Sequence, residues 1–236
     1  MKRLWVVIFV ITALLVVGCS KSYDEYMSIA AEQQEQGQYD EALDAYAKAV
    51  RQAADDAAAF TANEKAADLL NYFLKNADSA RYYYNAALDH SAVVDADALH
   101  QLIKKSLEAL AGDVAVKGYT LWLERFADSD NVHEVYYELA EVYHKNIRDL
   151  RQAVSSYEYV AVTFPETPQA PKALFSIGYI YANELAEEDN ARSYYKRFLD
   201  TYPKHEMVPS VEFELKYLGK ALEDIPELKH LLTDPS

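Results

Sequence analysis

The chain has 236 residues, 51% of them hydrophobic, with 6 Gly and 7 Pro; this composition excludes a disordered chain. The formal net charge of −15 at pH 7 repels phosphate backbones and argues against nucleic-acid binding. Ala, Leu, Glu, Lys and Gln dominate many stretches and favour helix, while the 20 Tyr require a structural use.

The first segment combines a basic pair with the apolar run "LWVVIFVITALLVV". This run is too short to span a bilayer comfortably and is typical of a signal peptide. The following "VVGC" resembles the bacterial lipoprotein box, so we expect a signal peptide over 1–18, lipidation of Cys19, and a short tether over 19–22. An ordinary signal peptide or membrane anchor with a Cys nearby by chance is the alternative.

Cys19 is the only cysteine of the chain, which favours lipidation and excludes disulfides and cysteine-based catalysis. More than one acyl chain would hold the protein stably on a membrane. Ser20, rather than Asp, after the cysteine implies the outer membrane by its resemblance to such lipoproteins. Removing Lys2 and Arg3 with the leader leaves 21 basic against 38 acidic residues, a formal charge of −17, so membrane contact is expected through the lipid.

A pattern of a small residue, a Tyr four positions later and an apolar residue three positions after that occurs five times. The small–Tyr pairs are Ala42/Tyr46, Ala80/Tyr84, Ala115/Tyr119, Ala153/Tyr157 and Ala191/Tyr195, spaced by 38, 35, 38 and 38 residues. Offsets of four and three place these residues on one stripe of a helix. A second stripe precedes each copy, so every unit is predicted to be an antiparallel pair of helices.

The predicted helix pairs follow the chain in order at 23–36/39–53, 57–75/77–90, 95–110/112–127, 130–146/149–164 and 170–186/188–202, and a last helix at 209–223 caps the array. Pro165 and Pro203 end the second helices of units four and five, because Pro cannot continue a helix. Pro171 and Pro209 suit the first turn of the next helix.

Units of this length and pattern are similar to tetratricopeptide repeats. The first copy carries the signature most plainly, copies four and five hold about one extra residue between their helices, and in copies two and three the register of the first helix is uncertain by one residue. The predicted fold is all-α: a right-handed superhelical solenoid of about five helical hairpins plus a C-terminal capping helix, one domain over 23–236.

Nothing in the sequence indicates catalysis, a metal site or a cofactor. The segment "HEVYYELAEVYH" begins like a zinc-protease helix, but position 137, where the second His belongs, is Tyr. Gly-rich phosphate loops and the G-x-S-x-G elbow do not occur, and "ELAEEDN" lacks the alternating ligands of a calcium loop. We therefore predict a protein that is not an enzyme and has no small-molecule substrate.

Binding is predicted on the concave side, which the first helices of the pairs line. The groove-facing positions in units four and five are Tyr137, Glu141, His144, Lys145, Phe175, Tyr179 and Asn183. Aromatic residues with a polar rim are typical of a protein-binding surface. Tyr84, Tyr136 and Tyr143 are in register with the repeat and are expected in the core, whereas Tyr82, Tyr83 and Tyr137 are not and are candidates for a groove.

The signal peptide, the lipidated cysteine and five helical hairpins with "FP" and "YP" endings together resemble the BamD family of outer-membrane lipoproteins. The resemblance implies a lipid-anchored adaptor on the periplasmic side, acting in assembly of β-barrel proteins. Units one to three lack the aromatic–Pro ending and read "RQAADD", "DHSAVV" and "RFADSD". The repeats are shared with CpoB-like proteins, so a coordinator of cell-wall synthesis or division enzymes is the alternative.

Overall fold

The computed structural model describes residues 21–220 and 225–226. The predicted signal peptide, Cys19 and most of the segment after residue 220 lie outside the described residues. Within them the structure is helical and contains no strand, which confirms the predicted all-α class. Its eleven α-helices are α1 Tyr23–Glu35, α2 Tyr39–Gln52, α3 Asp56–Tyr72, α4 Ala77–Asp89, α5 Ala96–Glu108, α6 Gly112–Arg125, α7 Val132–Val142, α8 Leu150–Thr163, α9 Gln169–Tyr179, α10 Glu188–Thr201 and α11 Val208–Tyr217.

Polar side chains begin several of these helices by accepting hydrogen bonds from otherwise unpaired backbone amides. Ser22 and Glu25 form a capping box on α1, so the last residue of the predicted tether is the first helix cap. Asp55 accepts from the Ala58 amide at 2.8 Å, and Asn76, Asp95 and Asp149 cap α4, α5 and α8 in the same way.

The repeated small–Tyr–apolar stripe lies in the core of the array. All five small residues, Ala42, Ala80, Ala115, Ala153 and Ala191, are wholly buried. The five Tyr that follow them are at most 4% exposed, and the third positions are equally buried. The prediction that stacking of helices fixes this pattern is confirmed, because a small residue lets two helices approach while an aromatic ring fills the space beside it.

Consecutive pairs stack into a solenoid. Each helix packs mainly against its neighbours in the chain, and the more distant contacts join helices two apart, such as α7 with α9. The buried residues form a continuous core, since Leu43, Leu74 and Tyr83 join its first and second parts and Tyr143 joins the second and third. Such a stack leaves the faces of its first helices available to a partner.

The turns between the two helices of each pair share one left-handed residue. Gly37, Lys75, Leu110, Arg148 and Ala186 have φ between 53° and 75° and are spaced by 38, 35, 38 and 38 residues, as the repeats are. Only the first of them is Gly, the residue that tolerates this conformation without a steric penalty. The repeat geometry therefore imposes the conformation on four less suitable side chains.

The extra residue predicted in units four and five is accommodated by a π-helical turn. Tyr143–Ile147 continues α7 and Ile180–Glu184 continues α9 with the wider winding of a π-helix. Such single turns are rare and frequently occur at functional sites. In this protein each of them carries residues of the predicted groove.

The last predicted helix is shorter than expected. It begins at Val208 with Pro209 in its first turn, as predicted, but it ends at Tyr217 rather than at residue 223. Gly219 follows with φ 78°, and its backbone lies so close to the Glu188 carboxylate that a Cβ would meet Oε1 at 2.5 Å. The left-handed glycine terminates the helix, an ending that the predicted span overlooked.

Candidate functional site

Six of the seven predicted groove residues line one surface cleft between α7 and α9, with a volume of about 270 Å³. We call it the aromatic cleft. Its lining residues are Tyr137, Glu141, His144, Lys145, Tyr157, Phe175, Ser176 and Tyr179. The seventh predicted residue, Asn183, lies one helical turn beyond Tyr179, and its amide donates to the Tyr179 carbonyl at 3.3 Å.

The first helix of unit four, with its π-turn, supplies one wall of the cleft. Tyr137 and Glu141 are one turn apart on α7, and His144 and Lys145 follow in the π-turn. Lys145 donates to the Glu141 carboxylate. The two charges at the rim are therefore paired with each other above the apolar interior of the cleft. A rim that pairs its own charges can rearrange when a partner arrives, whereas unpaired charges would resist desolvation.

The floor of the cleft comes from two residues that the sequence interpretation did not select. Tyr157 of α8 is 1% exposed, its ring centroid lies 5.3 Å from that of Tyr137, and it belongs to the repeated core stripe. Ser176 of α9 stands between Phe175 and Ile177. A polar residue inside the apolar run "ALFSIGY" is the signal that could have identified it.

The hydroxyls of Tyr137 and Tyr157 remain protonated hydrogen-bond donors. Burial, and after it the nearby Glu141 carboxylate, raises the pKa of Tyr137, while a hydrogen bond to Ser176 acts in the opposite direction. Burial also raises the pKa of Tyr157, with Tyr137 and Glu141 adding to it. The cleft therefore presents aromatic surface and neutral hydroxyls, which suit contacts with a protein segment.

An ion-paired cluster closes one end of the cleft and joins its two π-turns. His144 pairs with Glu184, and Arg148 Nη2 lies 2.6 Å from the Glu184 Oε2 atom. Burial opposes ionisation of Glu184, but the hydrogen bonds from His144 and Arg148 outweigh it and hold the pKa of this carboxyl below its usual value. The cluster fixes the two helix ends relative to each other across the groove.

The other aromatic candidates lie elsewhere. Tyr84 is wholly buried, as predicted for the core, whereas Tyr82 is 69% exposed and lines a separate shallow cleft with Arg81 and Asp113. Tyr83 is half-buried and packs against the core. Tyr136 was predicted in the core but is only half-buried; its ring lies at the surface against the partly exposed Tyr159 ring, with the two centroids 4.4 Å apart.

A larger cleft of about 450 Å³ lies over α1 and α2, and most of the residues that line it are charged or polar, including Lys21, Asp40, Asp44 and Lys48. It has no group of aromatic rings comparable with the aromatic cleft. In the part of the chain that the structure describes, no cluster of three or more His, Cys, Asp or Glu side chains could hold a metal ion. None of the described helices is long and apolar enough to cross a membrane.

Comparison with known proteins identifies one repeat by sequence. Residues 172–205 match the tetratricopeptide repeat family. This segment contains most of α9 and all of α10, the fifth predicted pair. Comparison with curated protein sequences gives no match.

Several solved structures have a similar fold. YrrB, described as a tetratricopeptide protein with an unusual peptide-binding site, is 19% identical over 80% of this chain and 90% of its own, with a TM-score of 0.44. A tetratricopeptide repeat protein from Parabacteroides merdae is 13% identical over 92% of this chain and 82% of its own, with a TM-score of 0.49. PilF of Pseudomonas aeruginosa is 16% identical over 90% of this chain and 97% of its own, with a TM-score of 0.39. At these identities and scores the likeness carries no argument on function.

Proposed function

We propose that this protein is a non-catalytic scaffold that holds a segment of another protein in the aromatic cleft. The observation that carries the proposal is the cleft itself, in which Tyr137, Tyr157, Phe175 and Tyr179 converge beneath a charged rim. Clustered aromatic side chains within a polar rim carry most of the affinity in protein interfaces. Tyr179 is 40% exposed and is available for contact.

The walls of the cleft are held in place before any partner binds. The core Tyr157 supports the ring of Tyr137 from below, the ring of Phe175 lies 6.1 Å from that of buried Tyr195, and the His144–Glu184 pair links the helix ends. A preorganised surface loses little conformational entropy on binding. This rigidity supports a role in recognition of a protein segment.

As to place, we propose that Cys19 is lipidated and anchors the mature chain on the periplasmic side of the outer membrane. The partners are then other envelope proteins. The resemblance to BamD supports a role in assembly of β-barrel proteins, and the alternative is coordination of cell-wall synthesis or division enzymes. The acidic surface, −15 in formal charge, supports protein partners over nucleic acid.

The experiment is a comparison of partner capture from detergent-solubilised membranes by the full chain and by Tyr137→Ala/Tyr179→Ala. We expect the double variant to retain its helical circular dichroism and to lose its partner at least tenfold, since each aromatic anchor contributes about 1–2 kcal/mol or more. Tyr82→Ala, which removes an exposed ring outside the cleft, is the matched control and should capture normally.

The identity of the captured protein separates the two roles. A β-barrel assembly component supports the first, and a peptidoglycan synthase or hydrolase supports the alternative. Capture that is unchanged in the double variant would contradict the groove assignment. The anchor is tested separately by mass spectrometry of the mature N-terminus, where an unacylated first residue would contradict lipidation of Cys19.

A further inference from the structure

One position repeats along α7, α9 and the capping helix α11. Glu138, Ser176 and Glu214 are 38 residues apart, and each follows the core Tyr of the preceding unit by 19 residues. The Tyr119 hydroxyl donates to Glu138 Oε2 at 3.1 Å. A hydrogen-bonding contact with Ser176 lowers the pKa of Tyr157, and the charge of Glu214 raises that of Tyr195.

Glu138 has its charge balanced by the preceding unit. His100 Nε2 lies 2.5 Å from Glu138 Oε2, and Lys104 Nζ lies 3.7 Å from Oε1. Burial opposes ionisation of Glu138, but the contacts with His100 and Lys104 outweigh it and keep the pKa of this carboxyl low. A partly buried carboxylate in this fold is thus normally given a basic partner.

Glu214 has the same position in the repeat, but no basic side chain of the described residues pairs with it. The residues that correspond to His100 and Lys104, two repeats later, are Ser176 on α9 and Ile180 in the following π-turn. Within residues 21–220 and 225–226, Glu214 forms no ion pair. Burial raises its pKa, opposed only by neutral neighbours, Tyr195 and Asn183. Leaving a half-buried carboxylate without a cation is costly.

The group beside Glu214 at this place is a neutral hydroxyl. Tyr195 is wholly buried, and its hydroxyl forms no well-directed hydrogen bond to any atom of the described residues. After burial itself, the charge of Glu214 and a poorly directed hydrogen-bonding contact with it raise the pKa of Tyr195. A neutral phenol gives the carboxylate no countercharge, so this place suits a cationic donor from outside.

This place is continuous with the aromatic cleft. Phe175 lines the cleft and its ring centroid lies 6.1 Å from that of Tyr195. The Asn183 side-chain amide donates to the carbonyl of the cleft residue Tyr179 at 3.3 Å, and the same amide lowers the pKa of Glu214 by a hydrogen-bonding contact. We infer, on the basis of the proposed function, that the segment bound in the cleft carries a Lys or Arg whose charged group pairs with Glu214 beside Tyr179, while a neighbouring apolar residue lies among the aromatic rings.

The chemistry of a basic side chain fits each of these neighbours. An ammonium or guanidinium group would pair with the carboxylate of Glu214 and replace the missing counterpart. The aromatic face of Tyr179 attracts a cation, and the acidic surface draws a basic segment toward the protein. The long apolar stem of Lys or Arg can follow the edge of the cleft.

The experiment selects binders from a phage-displayed random dodecapeptide library with the mature full chain in detergent, at about 0.15 M salt so that distant charges are screened. Three proteins are compared: the natural sequence, Glu214→Gln, and Glu212→Gln. The first substitution removes the charge without changing the shape. Glu212 is an exposed neighbour on α11, so its substitution controls for the same change in net charge.

We expect the natural protein and Glu212→Gln to enrich peptides with a Lys or Arg at a fixed distance from an aromatic or aliphatic residue. Glu214→Gln should retain the apolar preference and lose the basic one. For one selected peptide, Glu214→Gln should weaken binding about tenfold. When norleucine replaces the basic residue of that peptide, the same substitution should weaken binding less than about twofold.

Two other results would overturn the inference in distinguishable ways. In the first, the natural protein selects apolar peptides without basic enrichment, and Tyr137→Ala abolishes their binding. In the second, Glu214→Gln enriches basic peptides as strongly as the natural protein does. Either result would contradict the role of Glu214 and leave the proposed function standing. Failure of the natural protein to select any peptide would contradict both.

Discussion

The closest side-chain packing near the groove occurs at a glycine. Gly178 of α9 lies directly against the ring of Tyr195, and a Cβ there would meet Cε1 at 2.4 Å. The corresponding positions of units one and four, Ala30 and Ala140, are wholly buried with room for a methyl group. Gly178 therefore allows the full-size ring of Tyr195 to pack directly against the backbone of α9.

Gly178→Ala should lower the free energy of unfolding by about 1–2 kcal/mol. Overpacking a core costs about 1–3 kcal/mol, and the better helix propensity of Ala, worth about 1 kcal/mol, offsets part of this. Urea denaturation followed by circular dichroism measures the change. Ala140→Gly is the control that changes propensity without a clash; a more stable Gly178→Ala would contradict the packing.

The pH dependence of stability is the second residue-level test. Because the pKa of Glu184 is lower in the folded protein than its ordinary value of 4.5, its stabilising contribution is complete above about pH 4.5 and is lost as the pH falls through the folded pKa. At pH 6, Glu184→Gln should lower the free energy of unfolding by about 1–2 kcal/mol, and the difference from the natural protein should shrink progressively as the pH is lowered below 4.5. A difference that is constant over this range would contradict the ion-paired cluster.

The sequence predicted some of the side chains that line the groove, but not all of them. The repeat phase put Tyr137, Phe175 and Tyr179 on one face, because the period of a helix fixes which residues share a face, and in the structure these three line one cleft. It did not indicate that Tyr157 forms the floor, since the same residue also satisfies the core stripe. Whether an aromatic ring is exposed in the groove depends on the distance between two helices. The periodicity of a single helix does not specify that distance.

At the scale of elements, the five left-handed turns show how the repeat overrides local preference. Leu110 is 83% exposed with φ 58°, so its side chain contributes little packing to offset the strain of the backbone. Gly at this position of unit one has the same conformation without a steric penalty.

Leu110→Gly should therefore raise the free energy of unfolding by about 0.5–1 kcal/mol, since a left-handed backbone costs a non-glycine residue about 1–2 kcal/mol and the added flexibility of Gly in the unfolded chain offsets part of the gain. Chemical denaturation of the two proteins measures it. Leu110→Ala keeps the steric penalty and should give no comparable gain. A destabilised glycine variant would show that Leu110 contributes packing.

The two π-turns could not be predicted from the sequence. The spacing of the repeats indicates one extra residue in units four and five, but a longer loop and a wider helical turn have the same length in sequence. The structure places that residue in the helices, at Tyr143–Ile147 and Ile180–Glu184. His144 lies in the first of these π-turns and Glu184 in the second, and the two side chains pair across the groove. We would not expect this pairing between regular α-helices.

At the scale of the whole molecule, the array is a stack whose inner contacts are repetitive and whose differences are concentrated in the last two units. The α7–α9 groove carries the aromatic cleft and both π-turns. The architecture followed from the 38-residue period, because stacking imposes the same buried positions on every unit. The partner could not be inferred in this way, since the repeat does not specify the surface residues.

Site-specific photo-crosslinking in the intact cell envelope tests whether the groove holds a partner, with p-benzoylphenylalanine in place of Tyr137, Tyr179 or, as a control, the exposed Tyr82. We expect the two cleft positions to join the protein to the same discrete envelope partner and the control position not to do so. Absence of adducts at Tyr137 and Tyr179, or the same adducts from Tyr82, would contradict the claim that this groove holds a partner.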